Sequence, residues 1–151
     1  MTTNHSYSLP QHLMSGIKCR QINVKYEDKA DIEKGVEEAC KEMLERTGGK
    51  GFPVLVAYTV SLSIVMAAVQ RVVGAALLYT FDGRETNEVT EAEVEEWVRR
   101  WKRGEETRAL VTDIYISRGW EAKELTAIGY NTSTENLVMR TCGFCLLVKI
   151  E

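Results

Sequence analysis

"PVLVAYTVSLSIVMAAVQRVVGAALLYT", residues 53–80, is the stretch that decides the fold. Its opening "PVLVAY" (53–58) is a continuous apolar run, the pattern of a central strand covered on both faces in a parallel sheet. "SLSIVMAAVQRVV" then reads as a helix that Gly74 closes, and "AALLYT" (75–80) as a second buried strand. The apolar run 60–79 has about the length of a bilayer span, on the order of 20 residues. Gln70, Arg71 and Gly74 break it, and a buried helix followed by a buried strand explains it better than a membrane span.

The same alternation extends in both directions. Upstream, "CRQINVKY" (19–26) alternates Ile22, Val24 and Tyr26 with polar residues, as a half-exposed strand does. "DKADIEKGVEEACKEMLER" places Ile32, Val36, Cys40, Met43 and Leu44 on one helical face, with Asp28 as N-cap and "TGGKG" (47–51) as the stop. Downstream, "DGRETNEV" (82–89) is a polar loop. Thr90 and Glu93 then form a capping box for a helix whose buried stripe is Val94, Trp97, Val98 and Trp101. Lys102 and Arg103 suit its last turn, and Gly104 ends it. "RALVTDIYI" (108–116) is a strand with its exit, and "ELTAIGY" (124–130) a further strand. "TSTENLVMRTCG" is expected as a short helix with Thr132 and Glu135 as a second capping pair, and "FCLLVKI" (144–150) as the last strand.

The expected fold is therefore α/β, a three-layer arrangement in which a mostly parallel sheet of five to six strands is flanked by helices. Its strand order is not readable from the sequence. Residues 1–16, polar and without the apolar segment of a secretory signal, read as a flexible leader; 17–151 read as one domain. The 151 residues suffice for a single core, and 44% hydrophobic with 27% charged residues argues against extensive disorder. A net charge of −3 supplies no basic footprint of an independent nucleic-acid binder, although it leaves room for a local basic strip. Four cysteines without a signal point to reduced thiols and a cytoplasmic or nuclear setting.

"RTCGFC" (140–145) carries Cys142 and Cys145 at the spacing of a redox dithiol or half a zinc site. A reactive dithiol sits at a helix N-terminus, whose dipole lowers the thiol pKa. Here the pair is expected at a helix end and a strand start, the opposite electrostatic setting. Zinc would require two more ligands, while Cys19 and Cys40 belong to a strand and a helix face and His5 and His12 to the leader. The cysteines thus read as buried thiols, with no metal site. "TGGKG" lacks the GxxxxGK[ST] spacing of a phosphate-binding loop and follows a helix. No GxSxG or HExxH occurs, and the absence of histidine from the folded part excludes a Ser-His or Cys-His pair.

Three segments of the C-terminal third nevertheless occur in a telling order: "EVEEWVRRWKRGEETRALVTD", "SRGWEAKELTAIG" and "ENLVMRTCGFCLLVKI". This run resembles the second, C-terminal RecA-like domain of superfamily 1 and 2 helicases, a domain of P-loop NTPase fold. There a helix and basic turn lead into a strand, motif V follows, then a strand and a helix carrying the motif VI arginine. "VLVAY" and its helix would stand at motif IV, so the resemblance covers about residues 17–151. It implies that Arg140 is the catalytic arginine reaching a γ-phosphate across an interdomain cleft, a task suited to a guanidinium because it stabilises transferring phosphoryl charge. It implies further that Glu121 meets the ribose, that Gly119 lets the loop approach a nucleotide or nucleic-acid backbone, and that Thr112, Asp113, Ser117 and Arg118 line the same edge. Open α/β sheets bind ligands there, outside the carboxyl ends of their strands.

The family's usual "VALTRA" is "LVMRTCG" in this chain, and the residues that hold ATP and magnesium belong to the first RecA-like domain, which the sequence does not contain. The expected function is to complete an NTP and nucleic-acid cleft together with a separate ATPase domain, catalytically silent alone, with ATP and Mg bound only in that partnership. The expected partners are another RecA-like domain or other protein, and nucleic acid, with no membrane. The rival reading is a non-enzymatic protein-interaction or signalling module with a helicase-like or flavodoxin-like fold. A basic cleft edge around Arg118, Lys123 and Arg140 would favour the first; an exposed apolar patch with arginines tied in salt bridges would favour the second.

Overall fold

The computed structural model describes residues 18–25, 27–57, 59–113, 122–130 and 141–151. In chain order these form β1 (Lys18–Val24), α1 (Lys29–Thr47), β2 (Pro53–Val56), α2 (Leu62–Val73), β3 (Ala76–Tyr79), α3 (Glu91–Lys102), β4 (Ala109–Thr112), β5 (Ala122–Tyr130) and β6 (Thr141–Ile150). The strands make one six-stranded sheet in the order β1-β6-β5-β2-β4-β3. Every pairing is parallel. This is the three-layer RecA-like or Rossmann-type architecture, with β2, the strand that opened the reading, near its centre.

The layers follow from connection handedness. The crossovers β1-α1-β2 and β2-α2-β3 run one way along the sheet, and β3-α3-β4 runs back. Since parallel crossovers are right-handed, α1 and α2 belong on one face and α3 on the other. The packing agrees. Ile32, Val36, Cys40 and Met43 of α1 and Val65, Ala68 and Val69 of α2 share a core with Val54, Val56, Ala109, Val111, Ile128, Leu146 and Val148. Val94, Trp97 and Val98 of α3 pack separately around Leu110. Alternate residues of β4 thus enter different cores, which is why Ala109, Leu110 and Val111 are apolar in succession.

Local chemistry sets the helix ends. Asp28 Oδ1 accepts from the Ala30 N–H at 2.8 Å, and Asp31 Oδ2 accepts from the Asp28 N–H at 3.0 Å. The expected box at α3 is present, with Glu93 Oε2 accepting from the Thr90 N–H at 2.7 Å and Thr90 Oγ1 from the Glu93 N–H at 3.2 Å. Gly48 takes the left-handed conformation that ends α1, at φ 70°. Gly51, from the same "TGGKG", serves another purpose. A Cβ there would overlap the Arg108 carbonyl, so glycine is what lets the entries to β2 and β4 approach.

The expected helix over "TSTENLVMRTCG" fails at its end. Thr141, Cys142 and Gly143 belong to β6, where Thr141 pairs with Ala122 of β5. A register shift follows, two residues of β5 spanning against three of β6, before regular pairing resumes at Glu124 and Phe144. The sequence pattern was carried through to the glycine, but inter-strand pairing claims the backbone groups of 141–143. The remaining part of that expected helix, 131–140, lies outside the described residues. Among the described residues no helix is long and apolar enough to cross a membrane.

Candidate functional site

Thr112 and Asp113 stand where the sequence placed them, at the carboxyl edge of the sheet. Thr112 is the last residue of β4 and is buried; the Asp113 side chain just beyond is only 4% exposed. Its Oδ1 accepts from the Phe81 N–H at 2.9 Å, and its Oδ2 pairs with Arg84 Nη1 at 2.6 Å. Ser117, Arg118, Gly119, Glu121 and Arg140 lie outside the described residues, as do Trp120 and the Lys123 side chain.

The loop between β3 and α3 supplies the rest of this edge. Its organising group is Glu88, whose Oε1 accepts from the Thr80 N–H at 2.7 Å. The second oxygen accepts from the Thr80 hydroxyl at 2.6 Å and from the Glu85 N–H at 2.8 Å. Burial pushes this carboxyl's pKa up, but the three hydrogen bonds outweigh it and hold the pKa below the usual range. The Val89 N–H also bonds the Leu78 carbonyl, so the loop returns along the edge strand β3. On this braced loop Phe81 is 70% exposed, the sole exposed large hydrophobic side chain among the described residues.

The sequence reading treated 82–89 only as a polar connection and missed this network. Its acids and single arginine were visible, but nothing local says that Asp113 pairs back to Arg84 across an intervening helix. Asp113 is engaged by a cation and an amide, so it braces the loop. Among the described residues no group of three or more His, Cys, Asp or Glu side chains is placed to hold a metal ion.

The opposite, amino edge carries a cleft of about 360 Å³ whose lining includes Arg46, Lys50, Trp101, Lys102, Glu106 and Glu124. Its floor is Glu106, 1% exposed. This carboxylate accepts from Arg108 Nε and Nη2 at 2.9 Å each, from Arg100 Nε at 3.2 Å, and from the Thr107 and Arg108 N–H groups. Burial opposes its charge, yet Arg108 and these bonds lower its pKa to about 2. The cations at the rim have a structural explanation: α1 and α3 both end here, and Arg46 and Lys102 lie in their last turns, where a positive charge complements the helix dipole.

The cysteines require a correction. Cys142 and Cys145 both lie within β6, and neither marks a helix end. Cys145 is wholly buried and disulfide-bonded, which overturns the expectation of reduced thiols at this position. Cys40 is a free, buried cysteine, its thiol pushed up to about 12 by burial and then by Glu37.

No model of a known protein family matches the chain, and no curated protein matches it.

Proposed function

We propose that the chain is a helicase C-terminal-like domain that completes an NTP and nucleic-acid cleft when joined by a separate ATPase domain, and that it is catalytically silent alone. The observation that carries this reading is the all-parallel sheet with Thr112 and Asp113, the start of the motif V-like run, at the end of a central strand. Ligands of open parallel sheets bind at that edge. Under this proposal ATP and Mg are held mainly by the partner RecA-like domain, and Ser117, Arg118 and Gly119, which follow Asp113 in the chain, line the cleft; Glu121 and Arg140 directly precede the first residues of β5 and β6, at the amino ends of those strands, which counts against the ribose and γ-phosphate roles the resemblance gives them.

Two measurements test it. The purified chain, with or without nucleic acid, is expected to turn over no ATP above buffer. Titration of isotope-labelled chain with single-stranded RNA and DNA oligonucleotides is expected to shift the Thr112 and Asp113 amides, and Arg118→Ala to weaken that response. Shifts confined to the amino edge, or none with either nucleic acid, count against the proposal.

A second reading, a protein-interaction module, has its own support. Phe81 stands exposed beside an Asp113 already engaged by Arg84. Asp82, Glu85 and Glu88 make the same loop acidic, a surface that repels a phosphate backbone. Under this reading Phe81→Ser abolishes binding of a protein partner. Under the first it leaves oligonucleotide titrations unchanged.

A further inference from the structure

The amino-edge cleft belongs to neither functional reading, and its charges exceed what the fold needs. Arg46, Lys50 and Lys102 stand exposed around it. A helix carboxyl end carries roughly half a negative charge, so α1 and α3 together offset about one of these cations. Lys50 belongs to neither helix. Glu106 does not take up the remainder, because Arg100 and Arg108 already pair with it. Among the described residues no carboxylate lies within ion-pair distance of Arg46, Lys50 or Lys102. With Glu124 subtracted and the two arginines on Glu106 counted, roughly two positive charges remain uncompensated at the cleft.

We propose that this cleft binds a small phosphate monoester, with the phosphate between Arg46, Lys50 and Lys102 and the organic part against Trp101. Near neutral pH such a phosphate carries close to two negative charges, which matches the excess. Ammonium and guanidinium donors give it charge-assisted hydrogen bonds, about twice as strong as neutral ones. The cleft, about 360 Å³, lies at the small end of the range of ligand pockets, roughly 300 to 1,000 Å³, and suits a single small molecule.

The site is held in shape before any ligand arrives, which lowers the cost of binding. Lys50 donates to the Gly104 carbonyl and so bridges the turns that follow α1 and α3. The Gly51 N–H bond to the Glu106 carbonyl, at 2.7 Å, ties the same two turns. The Arg46 guanidinium carbon lies 3.6 Å from the centroid of the Phe144 ring, a contact that uses the flat face of the group and not its N–H edge. Trp101, stacked on the buried Trp97, gives the cleft an aromatic wall.

The test is a titration of the isotope-labelled full chain with phenyl phosphate near pH 7.5, read by amide shifts. Saturable shifts are expected at Thr47, Lys50, Gly51 and Gly104. Thr112 and Asp113 should stay still, which separates this site from the carboxyl-edge cleft. Lys50→Gln and Lys102→Gln should each weaken binding about tenfold, the loss of one charge-assisted bond. Lys102→Glu should abolish it, and Lys102→Arg should retain it. Lys41→Gln, which removes an exposed cation of α1 outside the cleft, should leave binding unchanged. The substituted side chains are exposed, so all these variants should keep the parent's melting temperature. Inorganic phosphate should bind more weakly, having no group for the Trp101 wall, and so should succinate, whose two charges lie apart. Shifts that do not saturate, succinate or inorganic phosphate binding as well as phenyl phosphate, or undiminished binding by Lys102→Glu would overturn the proposal.

Discussion

At the amino edge of the sheet the buried carboxylate Glu106 is gripped by near neighbours in sequence: Arg100, Thr107 and Arg108. At the carboxyl edge the buried carboxylate Asp113 is gripped by Phe81, 32 positions away, and by Arg84. The two edges solve one problem, a charge taken out of water, on different scales. The amino-edge solution is short-range, since the donors flank the acid in the turn that leads from α3 into β4. Gly51 and Lys50 then bind this turn to the one after α1, through the Gly51 N–H to Glu106 carbonyl bond at 2.7 Å and the Lys50 ammonium bonded to the Gly104 carbonyl. The carboxyl-edge solution forms only after β3 and β4 have paired, and it holds a loop with an exposed aromatic ring. The first edge reads as scaffold. The second is a loop braced from a distance.

Truncations should separate the two edges by size of effect. Trp97 ties α3 to the amino edge: it is fully buried, stacks on Trp101 at 5.4 Å between ring centroids, and its Nε1–H donates to the Arg108 carbonyl at 2.8 Å. Trp97→Ala should cost about 4 kcal/mol in denaturant unfolding, combining a large cavity with an orphaned carbonyl. A loss under 1 kcal/mol would show that this edge is not the scaffold.

Glu106→Gln should rank next, at about 2 kcal/mol near pH 7, discounted because its arginines are part-exposed. The sign follows from its pKa, lowered from the ordinary 4.5 to about 2. A carboxyl depressed by folding contributes its stability above its unfolded value and loses it as pH falls through the folded one. Parent and variant stabilities should therefore converge as pH drops from about 4.5 toward 2. A constant gap across that window would mean that Glu106 acts through shape and not charge.

The carboxyl edge should respond less. Asp113→Ala removes the acceptor of the Phe81 N–H and one of the carboxylates that pair with Arg84, which keeps Asp82 at 3.4 Å, at a cost of about 1.5 kcal/mol. Hydrogen exchange should rise in 80–89 and stay unchanged in α1. A rise spread over the whole sheet would erase the distinction between a braced loop and a scaffold.

The smallest effect is expected midway between the edges, at Thr126 of β5. Its side chain is buried, and its Oγ1 finds no hydrogen-bond partner among the described residues. Thr126→Val replaces an unsatisfied hydroxyl with a methyl of similar shape, so thermal unfolding should change by under about 0.5 kcal/mol or improve. A clear destabilisation would mean that the hydroxyl has an acceptor.

The amino-acid sequence by itself determined the alternation of strands and helices, the parallel sense, and most helix ends. The reason is locality. Continuous apolar runs such as 53–58 mark strands covered on both faces, and Thr90 with Glu93, or Gly48 and Gly104, act within one turn of chain. That Thr112 and Asp113 stand at the edge was what the helicase resemblance implied, and they do end β4 at the carboxyl side of the sheet. Only the tertiary structure decided the strand order, the inclusion of 141–143 in β6, the recruitment of Arg84 and Phe81 to Asp113, and the Cys145 disulfide. Each depends on which segments lie side by side after the crossovers are laid down. A carboxylate, an arginine or a cysteine carries no mark in the chain of the distant partner that will neutralise, accept from or bond to it.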